Sequence, residues 1–546
     1  MTTLVNLLEA RKNDDQPALR DGSISLSWRQ VIDQARSRAT WLRSHQLNGP
    51  PHLGVLLPNS VDYVLWIFAA AYARWAVVGI NPTRQGAALG ADITGADCQL
   101  IITDHASISM LSGLDLANAT SNVHLAEAAN LEAKDLDPHN ELDATADDLL
   151  LLLFTSGTTG APKAVRCTQG RLAGIGETAA QAYGYQRDDV CYCPMPLFHG
   201  NALMALIAPA LFVGASVVLP SRFTASRFLD DVQESGATMF TYVGKAISYI
   251  LATPVRQDDR ENKLTRGFGT EASSADRQRF EERFGCRLIE GYGASEGGVA
   301  IITTPDTPKG ALGPMAPGMD LAVLDPVTGE EKERAVFDDH GTLTNGTESI
   351  GELVNRSGIG KFEGYYKNEQ AASSRLRNGW YWTGDLAYQD QAGYFYFAGR
   401  SGDWLRVDSE NLAANSIEEA LSRYEPFLNV AVYPVPDFDA GGGDLVMATV
   451  EIDSGPFLPH EFFAWWQSQS DVGTKWLPTF LRVTTKIDET ATGKMTKVRL
   501  RNETWHGEDE IWYRPARANA FHQLSEAEVR AIDGALAVQR STAVDA

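Results

Sequence analysis

Leu151-Leu152-Leu153-Phe154-Thr155-Ser156-Gly157-Thr158-Thr159-Gly160-Ala161-Pro162-Lys163 passes without a break from an apolar run into hydroxyls, glycines and one lysine. The apolar run reads as a buried strand, and the polar loop after it reads as a cradle for a triphosphate. Glycines let the backbone approach anionic oxygens, Ser156, Thr158 and Thr159 offer short donors, and Lys163 adds a mobile positive charge. ATP is the ligand implied. The Gly-x4-Gly-Lys-Ser/Thr loop of common ATPases does not fit: counted from Gly157, Pro162 stands at the second glycine and Ala164 at the metal-binding hydroxyl. A kinase or GTPase is therefore disfavoured. The structural alternative is a solvated turn between two strands, which the length of the match weighs against.

Outward from this loop the pattern is α/β alternation. Before it, a helix over 61–74 precedes a strand at 77–80, and a further strand lies at 100–103. After it come a helix over 170–183, a strand at 190–193, an apolar helix over 203–212, a strand at 216–219, a helix over 225–235 and a strand at 238–243. Two doubly wound α/β subdomains are expected. From about residue 310 short alternating strands and Gly/Pro punctuation predict a small β-rich subdomain, completing an N-terminal domain of 1–401. A smaller α+β C-terminal domain is expected over 402–515, with a C-terminal tail over 516–546 that includes a helix at 525–538.

Composition narrows the function classes. Across 546 residues, 47 basic against 70 acidic side chains leave a net charge of −23, which opposes binding to nucleic acid or anionic lipid. Any phosphate site must be local. The five cysteines, Cys98, Cys167, Cys191, Cys193 and Cys286, have neither framework nor metal spacing, so a reducing cytoplasm is the simplest setting. No secretion signal is visible at the N-terminus. Residues 202–219 are long and apolar enough to suggest a membrane span, but Pro209 and Gly214 interrupt them, and a buried helix turning into a buried strand is expected instead.

With Tyr292-Gly293-Ala294-Ser295-Glu296, Trp382-Thr383-Gly384-Asp385-Leu386, Gly399-Arg400 and Thr492-Gly493-Lys494 added to the phosphate loop, the chain resembles the adenylate-forming enzymes. These include acyl-CoA synthetases, stand-alone adenylation domains and firefly-type luciferases. The resemblance covers about residues 10 to 510, with the motifs in the family's order. Pro194-Met195-Pro196-Leu197-Phe198-His199, Phe362-Glu363-Gly364-Tyr365-Tyr366 and Gly402-Asp403-Trp404-Leu405-Arg406 are similar to the fatty-acid-transport and very-long-chain branch, and to actinobacterial ligases for fatty and sterol side-chain acids.

The resemblance implies two steps: a carboxylate attacks the α-phosphate of Mg-ATP to give acyl-AMP and pyrophosphate, then the coenzyme A thiol displaces AMP. It implies that Thr155, Ser156, Gly157, Thr158, Thr159, Gly160 and Lys163 hold the phosphates, with Gly269-Thr270-Glu271-Ala272 and Glu290-Gly291-Tyr292-Gly293-Ala294-Ser295 around the adenosine. Tyr292 would stack on adenine, and Glu296 with Thr158 would hold Mg²⁺. Ser295 replaces the usual threonine and keeps its hydroxyl. Asp385 and Arg400 would bind the ribose or phosphate. Lys494 would stabilise charge in adenylation, after which the C-terminal domain would rotate to bring Asp403 and Arg406 to coenzyme A. Gly402 stands at the hinge and Ser409 where glycine is usual. His199 would gate the acyl pocket, walled by Asn201, Tyr242, Val243 and Lys245.

An acyl-CoA ligase for an apolar carboxylic acid is thus the leading expectation, with no nucleic-acid partner, no transmembrane segment and homo-oligomerisation left open. Loading of a carrier protein, a luciferase-like oxygenase and a non-catalytic adenylate binder remain as alternatives.

Overall fold

The strand Leu149–Thr155 organises the first half of the chain, because its apolar side chains carry it inside a sheet, beside the edge strand, while its last residue leads into the loop 156–162. It lies beside Ala76–Gly79, then His52–Leu56, Leu100–Thr103 and Val123–Leu125, all parallel. On its other side Lys163–Thr168 returns antiparallel, Thr155 opposite Lys163. The loop therefore joins two strands of a hairpin, and the helix expected next, Gln169–Ala182, begins only after the return strand. A computed structural model describes residues 2–22, 24–120, 122–138, 141–155, 163–270, 272, 274–294, 296–304, 306–338, 343–360, 362–400, 404–407, 410–438, 444–453, 455–469, 472, 475–489, 495–515 and 518–544.

The chain divides into two units, one of residues 1–305 with 358–379, the other of 306–357 with 380–546. The first contains a second sheet of eight strands. Its order is Ala300–Ile302, Arg287–Gly293, Arg266–Thr270, Met239–Val243, Val190–Tyr192, Ser216–Val218, Pro17–Asp21 and Ile24–Ser27, parallel except for the outermost strand at each end. Pro17–Asp21 comes from the start of the chain to pair with Ser216–Val218, Leu19 opposite Val217. The helix Val61–Ala73 packs on strands of both sheets, which is why its residues are buried on every side. Arg74, in the left-handed region at φ 61°, ends it and grips Asp148 with two nitrogens at 3.0 Å.

The apolar segment 202–219 is a helix through Val213, a left-handed Gly214 and the buried strand Ser216–Val218. Among the described residues no helix is long and apolar enough to cross a membrane.

In the second unit Leu321–Leu324, Gly351–Asn355, Trp380–Gln389 and Phe395–Arg400 form an antiparallel sheet. A further sheet runs Asn429–Pro436, Asp444–Glu451, Phe480–Thr484, Glu510–Tyr513 and His522–Gln523. Alternation along these strands sends Val430, Val432, Ala448 and Leu481 to one face, against helices Ala414–Leu421 and Pro459–Gln467. Ala431, Tyr433, Met447 and Phe480 go to the other, where Leu500 and Ile532 cover them. The residues 516–546 thus supply an edge strand and the helix Glu526–Val544.

Candidate active site

Lys163 opens the return strand of the phosphate hairpin, and its carbonyl accepts from the Thr155 hydroxyl at 3.4 Å. The outer edge of that strand is covered by residues 363–366: Arg166 donates its N–H to the Gly364 carbonyl at 3.2 Å, and Tyr366 donates to that of Ala164 at 2.8 Å. Both ends of this added segment are fastened. Glu363 accepts from the Thr168 amide at 2.8 Å and its hydroxyl at 2.6 Å, at the cap of helix Gln169–Ala182, and Tyr366 donates its hydroxyl to Asp97 at 2.6 Å. Tyr365 lies between these anchors.

The Tyr365 ring carries the Lys163 ammonium 5.6 Å from its centroid, and its hydroxyl donates to Glu296 at 2.8 Å. Burial pushes the phenol well above its usual range, so it stays a protonated donor. Arg375 also lies beside that hydroxyl. Among the described residues Tyr365 is the one side-chain partner of both Lys163 and Glu296, and no ion pair joins the two charges. Glu296 keeps lone pairs for a hard cation. No cluster of three His, Cys, Asp or Glu side chains is present among the described residues, so a magnesium ion here would share one carboxylate with phosphate oxygens, which suits its preference. Ser156, Gly157, Thr158, Thr159 and Gly160 fall outside the described residues, as do Glu271 and Ser295.

Parallel pairing brings the carboxyl ends of Met239–Val243, Arg266–Thr270 and Arg287–Gly293 to one edge, the place where open α/β sheets bind ligands. Val243 with Lys245, Thr270 with Ala272, and Tyr292 with Glu296 extend from these three ends. Glu290, almost wholly buried, accepts from the Tyr242 hydroxyl at 2.7 Å and the Ala272 amide at 3.2 Å. Tyr242, expected on the acyl wall, has no exposed surface and packs in the core instead. A Cβ at Gly269 would come within 2.4 Å of the Tyr242 carbonyl oxygen, and one at Gly291 within 2.8 Å of the Phe268 ring, so both positions need glycine for close packing. Gly293 and Ala294 continue from Tyr292, which is half-buried opposite Ile301. The buried Arg171 donates to the Arg166 carbonyl at 2.7 Å and its guanidinium reaches Gly297, whose φ of 74° favours glycine in the turn after Glu296.

His199 comes after a turn closed by its own N–H to Pro196 at 3.0 Å. Asn59 pins the turn, donating to the Met195 carbonyl at 2.8 Å and accepting from the Leu197 amide at 2.9 Å. The His199 ring is tilted against Phe198, and from it runs a helix whose middle, Leu203–Ile207, is a π turn of the kind that collects at functional sites. Asn201 at its start has a buried Oδ1 with no hydrogen-bond partner among the described residues. Lys245 sits over the Tyr249 ring at 5.3 Å.

In the second unit the Thr383-Gly384-Asp385 corner is built on the buried Glu352, which accepts from the Gly384 amide at 2.7 Å where the backbone turns left-handed at φ 73°. Thr383 donates to the Leu353 carbonyl at 2.8 Å and accepts from the Asp385 amide at 3.0 Å. Asp385 and Arg400 are opposite each other in register. Arg406 lies in the strand Trp404–Val407, while Gly402, Asp403, Ser409 and Lys494 fall outside the described residues. Lys497, near the end of the segment 402–515, pairs with Glu418 at 2.7 Å. Sequence reasoning missed Tyr365, Arg171, Glu352 and Glu363; the 362–366 motif was the available signal, since alternation puts Glu363 and Tyr365 on one face.

Comparison with known proteins agrees with this geometry. A profile described as AMP-binding enzyme matches residues 8–366. The chain is 47% identical over 538 residues to steroid-22-oyl-CoA synthetase of Rhodococcus jostii, covering 96% of each protein. It is 43% identical over 491 residues to the medium/long-chain-fatty-acid–CoA ligase FadD17 of Mycobacterium marinum, covering 89% of this chain and 93% of that protein. In fold it is similar to ATP-bound MatB from Rhodopseudomonas palustris, with a TM-score of 0.78 at 22% identity over 92% of this chain and 99% of the other. A benzoate CoA ligase from Burkholderia xenovorans gives 0.77 at 20% identity, over 92% of this chain and all of the other. The phosphate hairpin, the Tyr365 segment that covers it and the Glu296 turn all lie within the matched profile, and the chain belongs to the AMP-binding enzymes, the adenylate-forming superfamily.

Proposed function

We propose that this chain is an AMP-forming acyl-CoA ligase for bulky apolar carboxylic acids, with a steroid side-chain acid ahead of a medium- or long-chain fatty acid. The observation that carries the reaction is the uncompensated pair at Tyr365, an ammonium and a carboxylate of which neither is spent on the other. The preference for a steroid acid is supported by the full-length similarity to a steroid-acid ligase, somewhat above that to the fatty-acid ligases.

Lys163 and the hairpin loop hold the β- and γ-phosphates, and the ammonium follows pyrophosphate as it leaves. Tyr292 presents its ring to adenine. Asp385, an acceptor-only carboxylate fixed by its corner, takes the ribose hydroxyls with Arg400 opposite. Magnesium held at Glu296 would offset phosphate charge as the acid attacks. Lys494 stabilises the developing charge in this first step. Rotation of residues 402–515 about Gly402 then exchanges Lys494 for Asp403 and Arg406, and the coenzyme A thiol displaces AMP. His199 and Asn201 border the acid at the mouth of the π-containing helix. The five cysteines, all buried and unpaired by disulfides, support a cytoplasmic setting.

The test is thioester formation with coenzyme A, read by mass spectrometry, from a steroid side-chain acid and from fatty acids of graded length. The larger kcat/KM is expected for the steroid acid. A larger value for every fatty acid would reverse the substrate order, and thioester on an acyl-carrier protein but never on coenzyme A would overturn the ligase assignment. Lys494→Ala is expected to abolish adenylation while sparing thioester formation from supplied acyl-AMP.

A further inference from the structure

Lys163 and Glu296 come from elements far apart in sequence and carry opposite charges, yet both end on one side chain. An ammonium and a carboxylate that meet on one ring attract each other and, without the ring, would pair directly. Such a pair would neutralise the cation needed for phosphate and the carboxylate needed for metal. What separates them is a rigid ring whose face attracts a cation and whose edge carries a donor for a carboxylate.

The backbone holds that ring in place. Tyr365 sits in a segment paired to the return strand, with Glu363 fastened to the Thr168 cap two residues before it and Tyr366 fastened to Asp97 one residue after it. These anchors fix the backbone from which the ring projects. We infer that Tyr365 is a positioning residue that insulates Lys163 from Glu296 and so keeps the site charged on both sides before ATP and magnesium arrive. This rests on the roles given above to Lys163 and Glu296, and it assigns the otherwise unassigned Phe362-Glu363-Gly364-Tyr365-Tyr366 motif to substrate readiness.

The hydroxyl and the ring have separable effects. Tyr365→Phe keeps the ring between the charges and removes only the hydrogen bond to Glu296. Tyr365→Leu removes the barrier, and Lys163 and Glu296 collapse onto each other. Adding Glu296→Gln to Tyr365→Leu takes away the carboxylate that captures Lys163.

The experiment is calorimetric titration of the full-length chain with ATP, once in excess magnesium and once in EDTA, with thermal melts confirming that each variant is folded. Tyr365→Phe is expected to bind ATP in EDTA within about twofold of the parent while losing about tenfold of the gain that magnesium brings, the worth of one hydrogen bond to a charged group. Tyr365→Leu is expected to weaken ATP binding in EDTA about tenfold. Tyr365→Leu with Glu296→Gln is expected to recover most of that loss. Binding by Tyr365→Leu equal to the parent in EDTA, or no recovery in the double variant, overturns the inference. If Tyr365→Leu does not fold, Tyr365→Met takes its place, alone and with Glu296→Gln, under the same outcomes. A parent chain that binds no ATP sinks the adenylation reading itself, whereas a parent that binds and variants that match it sink only the role of Tyr365.

Discussion

Arg482 and Lys163 are both cations of this chain held by neighbours, and they are held in opposite ways. Arg482 has no exposed surface, and its terminal nitrogens donate to Glu503 at 3.1 Å, Asp509 at 2.9 Å, and the carbonyls of Thr504 and His506 at 2.6 Å each. Two carboxylates and two carbonyls take its terminal nitrogens while its buried Nε has no partner among the described residues, so its charge is spent on tying the segment 503–509 to the strand Phe480–Thr484. Lys163 has an aromatic face and no counter-ion among the described residues. A buried charge whose ends are taken by carboxylates and carbonyls is costly to remove, whereas one without a counter-ion at a loop's edge is available to a ligand.

The comparison breaks first at Arg482. Arg482→Met leaves two carboxylates and two carbonyls facing an apolar side chain, and urea unfolding is expected to register a loss of about 3–5 kcal/mol. A stable Arg482→Met chain with weakened ATP binding would put that arginine on the ligand side. Next in size, Glu296→Gln is expected to slow acid-dependent adenylation about 100-fold. It should cost no more than about 1 kcal/mol of stability, because among the described residues the side-chain contact it alters is the one to Tyr365.

Gly269→Ala tests a residue that serves both purposes. Its new methyl would strike the Tyr242 backbone, so a loss of about 1–3 kcal/mol is expected together with weaker nucleotide binding, as the loop to Ala272 shifts. The smallest effect belongs to the cysteines. Burial pushes the thiols of Cys167, Cys193 and Cys286 up to about 12, and it raises those of Cys98 and Cys191 well above the usual range too. At pH 8 thiolate is negligible in the folded chain, so a disulfide reagent should react only at the rate of unfolding. Fast reaction of any cysteine in the folded chain would remove it from the core.

The parts of the fold that local pattern dictates were legible. Val61–Ala73, Gln169–Ala182, Val190–Tyr192 and Met239–Val243 stand close to where hydrophobic period and flanking breakers put them. Long-range pairing was not. Nothing in Pro17–Asp21 says that it crosses to a sheet assembled two hundred residues later, because a strand's partner is chosen by the assembled edge rather than by its own spelling. The same limit applied at the site. The motif residues Lys163, Tyr292, Glu296 and Asp385 announce themselves by type and spacing, but Tyr365 acquires its place through a pairing across two hundred residues, and Tyr242 fits the core because the Ile289 carbonyl and Glu290 take its hydroxyl.

The central claim is that Lys163 and Glu296 are held apart at one tyrosine so that ATP can activate an organic acid there. Its most direct test is exchange of labelled pyrophosphate into ATP by the purified full-length chain with magnesium and a steroid side-chain acid. Exchange that requires the acid and the metal, and that falls about 100-fold in Glu296→Gln, is the predicted result. A folded chain that never exchanges label with any steroid or fatty acid, or that exchanges equally well without Glu296, would contradict it.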